Sequence, residues 1–104
     1  MLYQYRGIVA KCKKNEIEFG FTDYNHFRSV VNMPEHCPIL GVKLFYGVGR
    51  NNEKAEIDRI DITKGYIPGN VAIISAKANQ LKQDNTTETL SSLLRYIENN
   101  KGDK

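Results

Sequence analysis

Apolar side chains recur at helical spacing in the first part of the chain, over residues 2–14 and again after residue 22. An apolar residue at every third or fourth position places these side chains on one helix face, so two helices are predicted. Thr22 or Asp23 has a side chain that can cap the second helix. The predicted inner faces consist of Leu2, Tyr5, Ile8, Val9 and Cys12 in the first helix, and Tyr24, Phe27, Val30 and Val31 in the second.

Four short segments have the residue pattern of β-strands, with alternating polar and apolar side chains or a concentration of β-branched and aromatic residues. Turn-forming residues separate them, because Gly65 and the Pro68-Gly69 pair lie in a predicted loop over residues 61–69. A polar, glycine-containing loop is also predicted over residues 47–52. The predicted strands cover residues 16–21, 42–46, 55–60 and 70–74.

Two more helices are predicted after the last strand. Ser75 is placed to cap a helix that runs to about Gln83. Asn85 and Glu88 have the spacing of a capping box, which predicts a final helix over residues 85–99 with an apolar stripe typical of core packing. This order of helices and strands predicts an α+β fold. The stripe consists of Leu90, Leu93, Leu94 and Ile97.

The length of 104 residues fits a single domain over residues 1–104. Within it we expect a helix-strand-helix unit over residues 1–36, a central module over residues 37–84 and the final helix over residues 85–99. The composition, 40% hydrophobic and 26% charged, is ordinary for a soluble globular protein.

The chain is mildly basic, with 15 Lys and Arg residues against 12 Asp and Glu residues and a formal net charge of +3. This charge permits a polyanionic partner without establishing one. No apolar run approaches the roughly 20 residues that span a bilayer, so no membrane association is expected. Because residues 1–6 lack the apolar stretch of a secretory signal, we expect a cytoplasmic protein. The sequence does not indicate an oligomeric state.

Four fragments in the second half of the chain form a pattern when taken in order. The segments Asp58-Arg59-Ile60-Asp61, Lys64-Gly65-Tyr66, Gly69-Asn70-Val71 and Asn79-Gln80-Leu81-Lys82 resemble the core of HNH (ββα-metal) endonucleases, in particular a phage-type branch without zinc. The resemblance extends over about residues 6–95, because residues 10–19 and the turn at residues 37–42 also match that branch.

The resemblance implies a ββα-metal fold in which two strands and a helix surround one divalent cation, Mg²⁺ or Mn²⁺. Asp58 and Asn79 match the metal ligands, and Asn70 matches the asparagine that orients the base or the loop. The implied activity is metal-dependent hydrolysis of phosphodiester bonds in DNA, in the host cytoplasm if the protein is phage-encoded.

Basic residues near these fragments are candidates for nucleic-acid contacts. Arginine binds a phosphate through two parallel hydrogen bonds, and lysine acts on it as a point charge. Scattered surface lysines are common, and clustering near the proposed phosphate is what favours the functional interpretation. The candidates are Arg50, Arg59, Lys64, Lys77 and Lys82.

The sequence departs from the family pattern at the zinc site. Many HNH domains bind a structural zinc through two Cys-x-x-Cys pairs, but only Cys37 remains of the four thiols here. A single thiol cannot build a four-coordinate site, so we predict no structural zinc. Leu40 and Ala78 are expected to fill the volume instead.

A second departure concerns the general base, because Arg59 stands where the family has a histidine. Arginine stays protonated at physiological pH and cannot accept a proton from water. His36, Asp61 and His26, in that order, are the candidate bases. Alternatively, the attacking water loses its proton without a protein base, or the site is inactive. An inactive module would bind DNA or inhibit a partner protein.

Overall fold

Two helices lead into a hairpin of two strands, which is followed by two further helices. The computed structural model describes residues 1–100, so the predicted domain of residues 1–104 is described up to its last four positions. The fold is α+β, as predicted. Its elements are α1 (Leu2–Asn15), α2 (Tyr24–Val30), β1 (Ala55–Arg59), β2 (Val71–Ser75), α3 (Ala76–Asp84) and α4 (Thr87–Asn100).

The short helix α2 is capped by one of the two residues predicted for this role. The Asp23 carboxylate accepts a hydrogen bond of 2.8 Å from the backbone N–H of His26. Phe27 is 1% exposed and Val31 is also buried. The prediction that Val30 lies on the inner face is wrong, because this side chain is about half exposed.

The hairpin of β1 and β2 confirms two of the three strands predicted in the central module, those at residues 55–60 and 70–74. The strands are antiparallel, and Asp58 lies opposite Ala72 in their register. Ser75 ends β2 and caps α3, since its hydroxyl accepts a hydrogen bond of 3.1 Å from the backbone N–H of Ala78. Strand, cap and helix therefore follow one another without a loop.

Four aromatic rings pack α1 and α2 against each other and against the segment between them. Tyr5 lies 5.2 Å from Phe27 and 5.7 Å from Phe19, and Phe21 lies 5.1 Å from Phe27, measured between ring centroids. These edge-on or tilted geometries are the ones that aromatic pairs favour. The buried apolar residues are Tyr5, Cys12, Phe21, Phe27, Val31, Cys37, Leu44, Ala55, Ile57, Tyr66, Ile73, Ile74 and Ala78.

Residues 16–21 and 42–46 do not form the strands predicted for them. Phe19 makes one isolated bridge with Tyr66, and Phe45 makes another with Lys54. In residues 16–21 the alternation of polar and apolar residues does correspond to alternating exposure, since Phe21 is buried between more exposed neighbours. Each segment meets only a short stretch of loop, however, so no ladder of hydrogen bonds extends from the bridge.

The helix α4 differs most from expectation. Its stripe of Leu90, Leu93, Leu94 and Ile97 was predicted to pack in the core, but these side chains are 47–58% exposed and no residue of α4 is buried. Within residues 1–100, no other element packs extensively against α4, so the stripe stays largely uncovered.

The predicted cap of this helix is also corrected. The Thr86 hydroxyl accepts the hydrogen bond from the backbone N–H of Thr89 at 3.0 Å. The Asn85 amide instead donates to the Leu81 carbonyl at 2.8 Å.

Within residues 1–100, no helix combines the length and the apolar character that a membrane span requires.

The exposed stripe of α4 predicts a weak effect of truncation. We expect Leu94→Ala to change the free energy of unfolding by less than about 0.5 kcal/mol, as is usual for exposed positions. Ile73→Ala, at a position that is 1% exposed, should cost about 2–5 kcal/mol through lost burial and a cavity. Urea unfolding followed by circular dichroism measures both. A cost for Leu94→Ala similar to that for Ile73→Ala would show that the stripe is packed.

Candidate active site

An open cleft of about 1110 Å³ lies between α1, β1 with the loop that follows it, α3 and the beginning of α4. The two predicted metal ligands, Asp58 and Asn79, both line this cleft, as do the predicted phosphate-binding residues Arg59 and Lys82. The structure therefore brings together four of the predicted site residues. The strand supplies two of them and the helix supplies the other two.

The Asp58 carboxylate is bound by a cation from the protein itself. The Lys82 ammonium lies 2.7 Å from Oδ2 and 2.9 Å from Oδ1 of Asp58. It also donates to the backbone carbonyls of Arg59 at 2.9 Å and Ile60 at 3.1 Å. Four oxygens thus surround one positive charge. Lys82 was predicted to contact a phosphate, but in this structure its charge is paired with the Asp58 carboxylate.

Asn79 is held by a residue that the sequence analysis did not single out. Its side-chain amide nitrogen donates to Oε1 of Glu56 at 2.8 Å. Glu56 precedes Asp58 by two positions, and residues two apart in a strand point to the same face. That spacing was a signal available in the sequence. The amide nitrogen of Asn79 is engaged, and its oxygen is the atom left for another ligand.

The Arg59 guanidinium lies over the ring of Tyr66, with its central carbon 5.4 Å from the ring centroid. The Lys11 ammonium lies 5.8 Å from the same centroid and 3.4 Å from the Tyr66 hydroxyl. Tyr66 is only 4% exposed, so its ring is a fixed platform beneath two cations. The structure thus adds Lys11 to the residues that line the cleft.

Asn70 holds the loop after β1, the structural role predicted for it. Its Nδ2 donates to the carbonyls of Gly65 at 2.8 Å and Asp61 at 3.0 Å, and its Oδ1 accepts from the N–H of Asp61 at 2.9 Å. The residue is 6% exposed, so these bonds are shielded from water. The loop that carries Asp61 into the cleft is therefore fixed at both of its ends.

Asp61 is engaged within its own loop rather than with Arg59. Its Oδ1 accepts from the hydroxyl of Thr63 at 2.7 Å and from the backbone N–H of Thr63 at 2.9 Å. These hydrogen bonds, together with the charges of Lys64 and Lys82, hold the pKa of Asp61 below its usual range. The carboxylate is ionised at neutral pH and is a weak proton acceptor.

Other predicted site residues lie outside the cleft. His36 makes an isolated bridge with Lys43 in a separate turn. His26 is in α2, where its Nδ1 accepts from the backbone N–H of Thr22 at 3.1 Å. Arg50 lines a smaller depression near the start of α3, and neither Lys64 nor Lys77 lines the cleft.

Cys37 is the one thiol that remains of the four in the zinc-binding pattern, and it is 2% exposed. Burial opposes its ionisation, but hydrogen bonds from Ser75 and from backbone N–H groups outweigh it and lower the pKa of the thiol to about 7. Its sulfur lies 3.4 Å from the backbone nitrogen of Ser75 and 3.5 Å from that of Leu40. Ala78 is buried as expected, whereas Leu40 is 41% exposed and does not fill this volume.

Comparison with known proteins finds no matching family model, no matching curated protein and no matching solved structure.

The bonds of Asn70 predict that this residue is needed for stability. We expect Asn70→Ala to lower the free energy of unfolding by about 2–3 kcal/mol, because it leaves the backbone groups of Asp61 and Gly65 without partners. Asn99→Ala, at an exposed position of α4, is the matched control and should stay within about 0.5 kcal/mol. Chemical denaturation measures both. Equal effects of the two substitutions would contradict the role of Asn70.

The lowered pKa of Cys37 predicts a pH-dependent contribution to stability. Between about pH 7 and pH 9 the unfolded thiol holds its proton while the folded thiol releases it, so stability rises with pH. We expect the stability difference between wild type and Cys37→Ala to grow by on the order of 2 kcal/mol from pH 6 to pH 9. Cys12→Ala is the control, because burial raises the pKa of Cys12 and removes any such rise. A constant difference for Cys37→Ala would show that its thiol does not ionise in the folded state.

Proposed function

We propose that this protein is a metal-dependent endonuclease of HNH type that hydrolyses phosphodiester bonds in DNA. The observation that carries the proposal is the arrangement of β1, β2 and α3, which directs Asp58 and Asn79 into one cleft beside Arg59 and Lys82. A ββα unit with these residue types in these places is what the sequence resemblance implies. The proposal therefore rests on residue pattern and geometry together.

The donors in the cleft suit a hard divalent cation. Asp58 and Glu56 supply carboxylate oxygens, and Asn79 supplies an amide oxygen. Residues 1–100 contain no cluster of three or more His, Cys, Asp or Glu side chains able to hold a metal. Mg²⁺ is commonly held by one or two carboxylates with water and substrate phosphate, so such a cluster is not required. When bound, the cation would neutralise charge that develops on the phosphate.

Arg59 and Lys11 are the residues that would hold the phosphate. Arg59 is fixed over Tyr66, and a guanidinium matches the geometry of two phosphate oxygens. Its Nη1 has one distant partner, the Lys64 carbonyl at 3.4 Å, and its buried Nε has none. Because Nε is buried, a phosphate would be bound through the terminal nitrogens of the guanidinium. The positive charge cannot serve as a base, so Arg59 binds and orients the substrate.

Asp61 is the candidate base that the structure places in the cleft, whereas His36 and His26 lie elsewhere. Its low pKa makes it a poor proton acceptor, although it can accept a hydrogen bond from a water and so orient it. The attacking water would then lose its proton mainly to solvent. This favours a slow enzyme over an efficient one.

A second function is favoured by one specific observation, the ion pair between Lys82 and Asp58. Because the ammonium already neutralises the Asp58 carboxylate, a metal ion would be attracted to it less strongly. On this alternative the domain is a catalytically inactive module that binds DNA through Arg59 and Lys11, or that inhibits a partner protein. The positive and negative side chains lining the cleft are equal in number, so binding would depend on local geometry rather than on net charge.

The two functions are separated by a nicking assay on supercoiled plasmid with Mg²⁺ or Mn²⁺. We expect the wild type to nick the plasmid and Asp58→Asn, which preserves the side-chain volume, to reduce the rate by about a hundredfold or more. Arg59→Ala should weaken plasmid binding as well as nicking. Arg95→Ala, at an exposed position of α4 that does not line the cleft, should leave both unchanged. A gel shift that is insensitive to chelator, without any nicking, would instead support the binding module.

A further inference from the structure

We propose that Lys82 is an internal counter-ion that occupies the cation site of this cleft and must leave before a divalent metal binds. The inference deepens the proposed function and rests on it, because it concerns how the proposed metal site is opened. The lysine would act as a latch that keeps the site closed to metal until a substrate phosphate draws the ammonium away.

The contacts of the ammonium are those of a bound cation. Four oxygens, two from Asp58 and the backbone carbonyls of Arg59 and Ile60, lie within 3.1 Å of Nζ. An ammonium has three N–H donors, so at least one of them is shared. Oxygen donors that converge in this way also form a suitable cage for a hard metal ion. The ammonium and a metal ion would therefore compete for the same oxygens.

The position of Lys82 allows it to leave. Its side chain is 35% exposed, whereas that of Asp58 is 11% exposed. Lys82 lies in the last turn of α3, and its ammonium is carried on a flexible four-carbon stem that can adopt other rotamers. The carboxylate cannot follow it, because it is fixed on β1. Departure of the lysine would leave a largely buried negative charge, which attracts another cation.

A substrate phosphate offers the reason for the lysine to leave. Arg59 and Lys11 lie in the same cleft and would draw a phosphate toward it. A phosphate near the rim attracts the Lys82 ammonium outward and at the same time adds oxygens to the emptied cage. Nucleic acid and metal would then bind cooperatively, each raising the affinity for the other by the same factor. Without nucleic acid, the site would stay closed to metal.

The test is the affinity of the intact chain for Mn²⁺, measured by isothermal titration calorimetry without substrate. We expect Lys82→Met to bind Mn²⁺ about tenfold or more tightly than wild type, the scale of losing a charged hydrogen-bonded competitor. Lys77→Met, which removes a charge from the same helix outside the cage, should change the affinity far less. Adding Asp58→Asn to Lys82→Met should abolish the gain.

A second measurement adds nucleic acid to the titration. A short duplex with phosphorothioate linkages should tighten Mn²⁺ binding by wild type more than by Lys82→Met, because in the variant the phosphate adds oxygens but has no lysine to displace. If circular dichroism shows that Lys82→Met is unfolded, Lys82→Gln replaces it. Equal Mn²⁺ affinity of the folded variant and the wild type would overturn the latch even if the wild type nicks plasmid. A tighter variant together with an inactive wild type would support the latch while the proposed enzyme fails.

Discussion

The hairpin can carry a largely buried aspartate only because a lysine from the next helix neutralises it. An uncompensated carboxylate at the position of Asp58 would cost several kcal/mol, and the Lys82 ammonium offsets that cost through its contacts to the carboxylate and to two backbone carbonyls. The same contacts tie α3 to the end of β1. One turn earlier, the bond between Asn79 and Glu56 ties the two elements a second time. These two polar ties, together with the direct passage from β2 into α3 at Ser75, set the relative position of strand and helix and hence the cleft.

The loop after β1 is fixed by a different means. Asn70 replaces backbone hydrogen bonds that a strand would have supplied, and Asp61 closes the turn with Thr63. Tyr66 then enters the core from this loop and supports the Arg59 guanidinium from below. A rigid loop of this kind positions cationic groups without contributing a metal ligand. The side chains that would bind a substrate are thus positioned by groups that never touch it.

The parts of the fold set by local pattern were predictable from the sequence. The strands β1 and β2, the cap at Ser75 and the helix α3 depend on residues that are close together in the chain, and the predictions for them are confirmed. Residues 16–21 and 42–46 also have a strand pattern, but a strand needs a partner of sufficient length, and pairing is not visible in the segment itself. The stripe of α4 predicts an apolar face without showing whether anything covers it.

The candidate site was predictable in part of its membership but not in its bonds. Asp58, Arg59, Asn79 and Lys82 were named from the resemblance of their segments to the HNH core, and all four line one cleft. The pairing of Lys82 with Asp58 and of Asn79 with Glu56 joins positions more than twenty residues apart. Such pairing depends on the angle between helix and strand, which the sequence pattern does not define.

The ion pair between Asp58 and Lys82 also explains why two functions fit one geometry. An enzyme and an inactive binding module would share the same fold, the same cleft and the same phosphate-binding groups. On the proposed latch they would differ in one equilibrium, in which the Lys82 ammonium either remains on Asp58 or moves to a phosphate. A shift of a few kcal/mol would reverse that equilibrium, because tenfold in population corresponds to about 1.4 kcal/mol. Whether a metal binds would then depend on the relative affinity of Asp58 for its own lysine and for a divalent cation.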